Sequence, residues 1–317
     1  MSRTTSDLLT STSTSTSTST SPPLSRRSGR VRWWLGWIAV AAATFIAVVF
    51  PLAGLVGGSQ VLAQCAVALA VIQGSRRYGW RLLIAFFAIC YVVSSFWENL
   101  SVLTGFPFGN YTYTLMPQLF NVPVIIGVTY FGIGWVSWMV TNAILDRPDE
   151  RLDLRTRVGK VNVFALPLLS GALMSMWDLG ADSLISTVRG VWIWEDGGGV
   201  FGVPFTNYIG WWFVTWSFFQ VFTLVLAVRQ TRRPADALQS LPRVSSLQPV
   251  LAYLMFAVCS VTTFIAARGP ETATDPTGVV WDAGAINETL MVINLFTILP
   301  VAIFALAKIA RGDTARV

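Results

Sequence analysis

Long apolar runs alternate with short polar connectors along most of this chain. A transmembrane helix needs about 20 consecutive, mostly apolar residues, and eight runs come close to that length. They cover roughly residues 33–52, 55–73, 80–97, 122–145, 161–179, 208–228, 250–267 and 285–309. The pattern predicts an all-α fold, a polytopic membrane helical bundle with about eight transmembrane helices. The second run is the weakest, because it contains Gln60, Gln64 and Gln73.

The polar connectors are of two kinds, which alternate along the chain. One kind contains nearly all of the Lys and Arg residues, at 3–32, 76–81, 147–160, 229–243 and 308–316. The other kind is almost free of cations. Because basic loops are retained in the cytoplasm, we expect a multi-pass protein of the cell membrane with both termini in the cytoplasm.

Composition and charge agree with a membrane protein. Charged residues make up 12% of the chain, whereas they make up about 25% of a typical soluble domain. The net charge of +6 is explained by basic loops near anionic lipid, so we expect no nucleic-acid partner. The chain contains no His, which removes the commonest general base and metal ligand. Any catalysis must therefore use carboxyl, Tyr, Asn or backbone groups.

The chain divides into one membrane domain and two tails. Residues 1–30 are rich in Ser and Thr, a composition that cannot build a core and predicts a disordered cytoplasmic tail. Residues 31–311 form a single integral-membrane domain, and 312–317 form a short cytoplasmic tail.

The cation-poor connectors carry unusual aromatic and polar segments. In residues 106–113, Pro107 and Gly109 break regular structure, and the segment is too short to span the membrane. We therefore expect it to be re-entrant or to lie over the helix ends on the non-cytoplasmic face. A second aromatic segment, residues 192–212, contains glycines at 197–199 and is interpreted as a lid. A plain helix connection and an ordinary interfacial belt of aromatic residues are the alternatives.

Asp178 and Asp182 are the first candidates for acid–base chemistry. If the fifth helix continues through both, residues four apart share one face. Two close carboxyl groups in a poorly hydrated site do not both ionise, so one would carry a proton beside an ionised base, as proton transfer requires. The alternative is a helix cap or a pair of solvated acids. Glu98 and Glu288, near the non-cytoplasmic ends of the third and eighth helices, are further candidates.

The motifs resemble one known family. Residues 106–113 (Phe-Pro-Phe-Gly-Asn-Tyr-Thr-Tyr), the Trp177-Asp178-Leu179 motif with Asp182, and the order of aromatic, Gly and Pro residues in 192–211 are similar to the membrane-bound carotenoid hydratases of the CruF type, which include the bisanhydrobacterioruberin hydratases. The close resemblance covers residues 97–212. The chain departs from the family in having Val200-Phe201-Gly202 where Tyr-Tyr-Gly is common, and Asp182-Ser183 where Asp-Pro is common.

The resemblance implies addition of water to the terminal isopropylidene double bond of a linear or monocyclic carotenoid, by protonation and without a metal or other cofactor. The proton donor would be Asp178 or Asp182, with Glu98 or Glu195 in reserve. The residues expected to bind substrate are Phe106, Phe108, Asn110, Tyr111, Tyr113, Trp177, Trp192, Trp194, Phe201, Asn207 and Trp211. The expected partners are membrane lipid and the hydrophobic carotenoid, with other carotenoid biosynthesis enzymes as candidates.

Two other functions fit the same sequence. A carotenoid cyclase would begin with the same protonation but would close a ring, so its product would keep the mass of its substrate. A small-molecule transporter would also hold polar groups within a helical bundle, but it needs a continuous polar path to the cytoplasmic side.

Overall fold

The computed structural model describes residues 24–55, 57–232, 243–266 and 271–312. Most of the predicted Ser/Thr-rich tail, residues 1–23, and the last residues, 313–317, lie outside this part of the chain. The described helices are α1 (Leu24–Leu52), α2 (Gly58–Arg77), α3 (Gly79–Thr104), α4 (Val124–Ile144), α5 (Arg157–Leu179), α6 (Phe205–Arg232), α7 (Leu247–Ala266), α8 (Ala283–Phe296) and α9 (Ile298–Ala310).

Short segments connect these helices. A π-helical turn at Leu184–Val188 follows α5, and 3₁₀ turns lie at Pro148–Glu150 and Arg243–Ser246. The strands are β1 (Tyr111–Tyr113), β2 (Gln118–Leu119), β3 (Val122–Pro123), β4 (Trp192–Trp194), β5 (Thr272–Thr274) and β6 (Val280–Asp282). They pair antiparallel as β1 with β4, β2 with β3 and β5 with β6.

The predicted fold class, an all-α polytopic bundle, is confirmed. Seven helical segments in the described part of the chain are long and apolar enough to cross a membrane, namely 29–52, 79–104, 124–144, 157–188, 205–232, 244–266 and 283–310. The last of them contains both α8 and α9, which meet at Thr297.

The predicted second span, α2, is not among these seven. It is 20 residues long, so it extends over about 30 Å, and it packs against α1 and α4. Its three glutamines make α2 more polar than the seven segments. Each of these glutamines forms a hydrogen bond with another part of the protein. Polar side chains inside a bundle are normally satisfied in this way by neighbouring helices.

The bundle has two distinct ends. The basic end is defined by Arg77, whose guanidinium makes a buried bidentate ion pair with Asp149 at 2.6–2.8 Å, and by Lys308, which pairs with Asp146. The motif end is defined by β1 and β4, which cover the opposite ends of the helices. The two aromatic sequence motifs therefore meet at one end, although they are far apart in the chain.

A layer of aromatic side chains fills the bundle between the two ends. Phe86, Trp138 and Phe219 are fully buried, and the rings of Trp138 and Phe219 stack with centroids 5.7 Å apart. Phe219 contacts Phe218, whose ring packs edge-on against Tyr130. This packing places a dense apolar layer below the polar residues of the motif end.

Pairing of β1 with β4 determines which side chains face the bundle. Tyr111 lies opposite Trp194, and Tyr113 lies opposite Trp192. Successive side chains of a strand point to opposite faces, so these four aromatic side chains share the inner face. Thr112 and Ile193 occupy the exposed outer face.

Candidate functional site

A cavity of about 300 Å³ lies beneath the β1–β4 sheet. Aromatic and aliphatic side chains form most of its wall, and polar groups come from Gln60, Gln64, Glu98, Thr129 and Asn207. Of the residues that the sequence predicted, it brings together Glu98, Phe108, Tyr111, Tyr113, Trp177, Trp192, Trp194, Asn207 and Trp211. The central residues of the predicted site thus surround one cavity.

Glu98 is held by three tyrosines. Its carboxylate accepts hydrogen bonds from the hydroxyls of Tyr111, Tyr113 (3.0 Å) and Tyr130 (2.7 Å), and its side chain is buried. Burial and the neighbouring carboxylate of Glu98 raise the pKa of Tyr111 and Tyr113 well above the usual value. Both phenols therefore remain protonated donors, and they fix the carboxylate of Glu98 at the cavity wall.

Asp178 and Asp182 converge on a single amide. The Nδ2 of Asn207 donates to Oδ2 of Asp178 at 2.9 Å and to Oδ2 of Asp182 at 2.6 Å. The Nε1 of Trp192 donates to Oδ1 of Asp182 at 2.9 Å. Both carboxyl groups are buried beside Trp177 and Asn207, which line the cavity.

The convergence of the two aspartates does not depend on a continuous helix. The fifth helix ends at Leu179, and the chain turns at Gly180 and Ala181 before the next helical segment begins. The condition for the two aspartates to share one face of α5, a helix that continues through both residues, is therefore not met. The two side chains nevertheless meet, because Asn207 on α6 bridges them.

The three buried carboxyl groups have no cationic partner among the described residues. The ion pairs recorded there lie at the basic end or in its connectors and involve Arg77, Arg147, Arg155 and Lys308. In the same described ranges, no group of three or more carboxylate or cysteine side chains is arranged to hold a metal ion. The site is therefore a cluster of acids surrounded by hydrogen-bond donors and aromatic rings.

The aromatic rings of the wall pack against one another in stacked and tilted pairs. The rings of Tyr130 and Trp211 stack at 4.7 Å with an interplanar angle of 9°, and Trp177 contacts Trp211. On the sheet, Tyr111 packs against Trp194 at 4.8 Å. Aromatic faces carry partial negative charge and attract cations, so the wall can stabilise positive charge in the cavity.

Four predicted site residues lie elsewhere. Asn110 and Glu195 flank β1 and β4 on the outer face and are exposed, and Asn110 donates to Asp196. Strand alternation explains this placement, because Tyr111 and Trp194 point inward and their neighbours point outward. Phe106 is exposed and packs against Trp97 and Phe213, and Phe201 packs against Trp281.

Sequence reasoning missed the wall formed by α2 and α4. Gln60 and Gln64 from α2, with Thr129 and Tyr130 from α4, line the cavity. The sequence feature that could have indicated this wall is the pair Gln60 and Gln64 in an otherwise apolar run. Residues four apart lie on one face of a helix. In the sequence that pair only weakened the prediction of a span.

Phe108 is held at the cavity by close contact with α6. Its amide donates to Ser101 and its carbonyl accepts from Thr206. A Cβ at Gly210 would lie 2.7 Å from Cδ1 of Phe108 and 2.8 Å from the carbonyl oxygen of Pro107. Residue 210 must therefore be glycine, because Pro107 and Phe108 leave no room for a Cβ.

We expect Gly210→Val to displace Phe108 and to destabilise the protein. Overpacking of this kind costs about 1–3 kcal/mol, and it should lower the melting temperature of the detergent-purified protein. Gly199→Val is the matched control, because a Cβ there meets no atom within 4 Å. Equal melting temperatures for the two variants would contradict the close packing at Gly210.

Comparison with known proteins identifies the family of this chain. A family model described as "Carotenoid biosynthesis protein" matches residues 56–269, a region that contains α2 to α7 and every side chain named above as lining the cavity. No curated protein and no solved structure matches the chain. Since the match spans more than half of the chain, this protein belongs to the family of carotenoid biosynthesis proteins.

Proposed function

We propose that this protein is a carotenoid hydratase, which adds water to the terminal isopropylidene double bond of a linear or monocyclic carotenoid. The observation that carries the proposal is a group of three buried carboxyls without a cationic partner in the described chain. Glu98 lines the aromatic cavity, and Asp178 and Asp182 lie behind its wall, where they accept hydrogen bonds from the lining residues Asn207 and Trp192. Burying several unpaired negative charges together is very costly. At least one of these carboxyls therefore holds a proton, which is what hydration of an alkene requires.

The reaction balances without any cofactor. The acid gives its proton to one alkene carbon, which forms a new C–H bond and leaves a tertiary cation on the carbon that bears two methyl groups. The oxygen of a water molecule then bonds to that cation. The resulting oxonium loses a proton to a carboxylate, so the product is a tertiary alcohol and the acid is restored.

We assign the proton to Asp178. Asp182 receives donors on both carboxyl oxygens, from Trp192 and Asn207, and hydrogen bonds of this kind favour the ionised form. Asp178 receives a donor from Asn207 on Oδ2, while its Oδ1 receives none from the described side chains. Oδ1 of Asp178 is therefore the oxygen of this pair that is available to carry and deliver a proton.

Glu98 has a different role in this proposal. Its two oxygens already accept three tyrosine hydroxyls, so it is well placed to remain an acceptor and poorly placed to donate a proton. Its carboxylate and the rings of Trp211 and Tyr130 would stabilise the tertiary cation by preorganised electrostatics.

The cavity holds only the end of a carotenoid. Its volume of about 300 Å³ is at the lower limit for small-molecule sites, and a carotenoid polyene is far longer than such a space. Leu115 and Ile125 line the cavity and are also exposed at the bundle surface. We propose that the polyene leaves the cavity past these two side chains and continues into the membrane.

Transport and cyclisation remain distinguishable from hydration. The buried aromatic layer around Phe86 and Phe219 lies between the cavity and the basic end, where a transporter would need a polar path. A cyclase would use the same proton donor but leave the mass of its substrate unchanged.

Expression in a bacterium that makes a linear carotenoid such as lycopene tests the function. A hydratase should convert the pigment into a species heavier by one water, or by two if both ends react. Pigments of unchanged mass but altered retention would indicate a cyclase, and unaltered pigments with every linear carotenoid tried would contradict the enzymatic role.

The motif end should face away from the cytoplasm. Thr112 is exposed at the motif end and Arg155 at the basic end, and basic loops are retained inside. We expect a cysteine at Thr112 to react with a membrane-impermeant maleimide in intact cells, and a cysteine at Arg155 to react only after permeabilisation. The parent chain reports the background from its three native cysteines. The reverse labelling would overturn the orientation.

A further inference from the structure

We infer that Gln60 and Gln64 of α2 bind the water molecule that attacks the substrate. This inference rests on the proposed hydration and adds a site for the second reactant. The two side chains line the cavity on the wall built by α2 and α4, whereas the three acids come from α3, α5 and the segment that follows α5. A proton donor and a water site on different walls are what a two-step addition to one double bond requires.

The amide of Gln60 is oriented by a charged donor. Its Oε1 accepts from Nη1 of Arg189 at 3.0 Å and from Oγ of Ser59 at 3.1 Å. With both acceptor positions of Oε1 in use, the amide presents its Nε2 as the remaining group. That NH₂ donates to no side chain or carbonyl among the described residues, so it is left to bind a molecule in the cavity.

Gln64 presents the opposite kind of group. Its Nε2 donates to Oγ1 of Thr129 at 3.1 Å, and its Oε1 accepts no hydrogen bond from the described residues. The two glutamines are four residues apart and therefore lie on one face of the helix. Together they offer one donor and one acceptor to the same space, and an ordered water needs two to four polar partners.

The third glutamine of α2, Gln73, has no unused end of its amide. Oε1 of Gln73 accepts from Trp135, and its Nε2 donates to Gln248 and to the carbonyl of Ser245. Both ends of that amide are thus used within the protein. Among the α2 glutamines, the two that keep one end of the amide without a partner in the described chain are the two that line the cavity.

The cavity has room for both reactants. A water molecule occupies about 30 Å³, which is a small part of the cavity volume of about 300 Å³. The water would accept a hydrogen bond from Nε2 of Gln60 and donate one to Oε1 of Gln64. Its second lone pair is then free to bond to the tertiary cation, and the proton released from the oxonium passes to a carboxylate of the acid cluster.

Removal of either amide should uncouple protonation from hydration. The test variants are Gln60→Met, Gln64→Met and Thr129→Val, the last of which removes the hydrogen-bond partner of Gln64. The matched control is Gln220→Met, because Gln220 is a glutamine of a membrane helix that donates to Val163 outside the cavity. Reactions are run in deuterated water, and deuterium bound to carbon in unhydrated pigment reports protonation. Loss of one neutral hydrogen bond should lower the ratio of hydrated to deuterated unhydrated carotenoid roughly threefold to tenfold.

The outcomes distinguish failure of the water site from failure of the hydratase proposal. A lowered ratio in the three cavity variants, with an unchanged ratio in Gln220→Met, supports the water site. An unchanged ratio in all of them overturns it while leaving the hydratase proposal intact. Absence of hydrated pigment with the parent chain contradicts the hydratase proposal instead. If a Met variant fails to accumulate in the membrane, Thr129→Val still tests the orientation of Gln64.

Discussion

Replacement of Asp178 by Asn should abolish most hydration while the protein still inserts and folds. Asn keeps the size and polarity of the side chain, and its amide can still meet Asn207, but it has no acidic proton to deliver. General acid catalysis contributes a factor of about 10² to 10⁴, and we expect a loss at the upper end, because formation of the cation depends wholly on the proton. The measurement is the rate of hydrated carotenoid formation per amount of membrane-inserted protein.

The control for this prediction is Glu195→Gln. Glu195 is an acid of the same motif, but it is exposed on the outer face of β4, so its loss should leave the rate unchanged. Asp182→Asn should also lower the rate, since Asp182 is the proposed ionised partner. If hydration were nearly normal in both aspartate variants, the proton donor would have to be Glu98.

Replacement of Glu98 by Gln should be the second most damaging change. The variant loses the negative charge that faces the proposed cation, and removal of one preorganised electrostatic group costs about 10² to 10³ in rate. The amide also presents two N–H groups to tyrosine hydroxyls that are themselves donors to Glu98. We therefore expect a lower melting temperature in addition to the lower rate.

Tyr113→Phe distinguishes charge from packing at this position. It removes one donor, at 3.0 Å, but retains the carboxylate, so its rate should lie much closer to that of the parent protein than to that of Glu98→Gln. Equal losses in the two variants would show that the hydrogen-bonded tyrosine cluster, and not the charge of Glu98, is what the reaction needs.

Much of the helical fold could be predicted because apolar runs of membrane length have few alternatives. The segments around Trp138 and Phe219 were located by hydropathy alone. α2 was harder, because Gln60, Gln64 and Gln73 make its sequence resemble a polar connector until their partners on other helices are known.

The site was predictable in its residue types but not in its arrangement. Tyr111 and Trp194 were singled out as aromatic residues, yet a three-residue strand is formed by long-range pairing, which no local pattern reveals. Without that pairing, the outward direction of Asn110 and Glu195 could not be predicted. Tyr130 was missed for a similar reason, because one tyrosine in an apolar helix acquires a role only through its hydrogen bond to Glu98.

The central claim is the addition of water to a carotenoid double bond, and the most direct measurement uses water labelled with heavy oxygen. Purified protein in lipid nanodiscs is incubated with a linear carotenoid in that water, and the pigments are analysed by mass spectrometry. The account predicts a product heavier than the substrate by one labelled water, or by two if both ends react, with the heavy oxygen retained in a tertiary hydroxyl group. A product with the mass of the substrate, or a hydroxyl that carries no label, would contradict it.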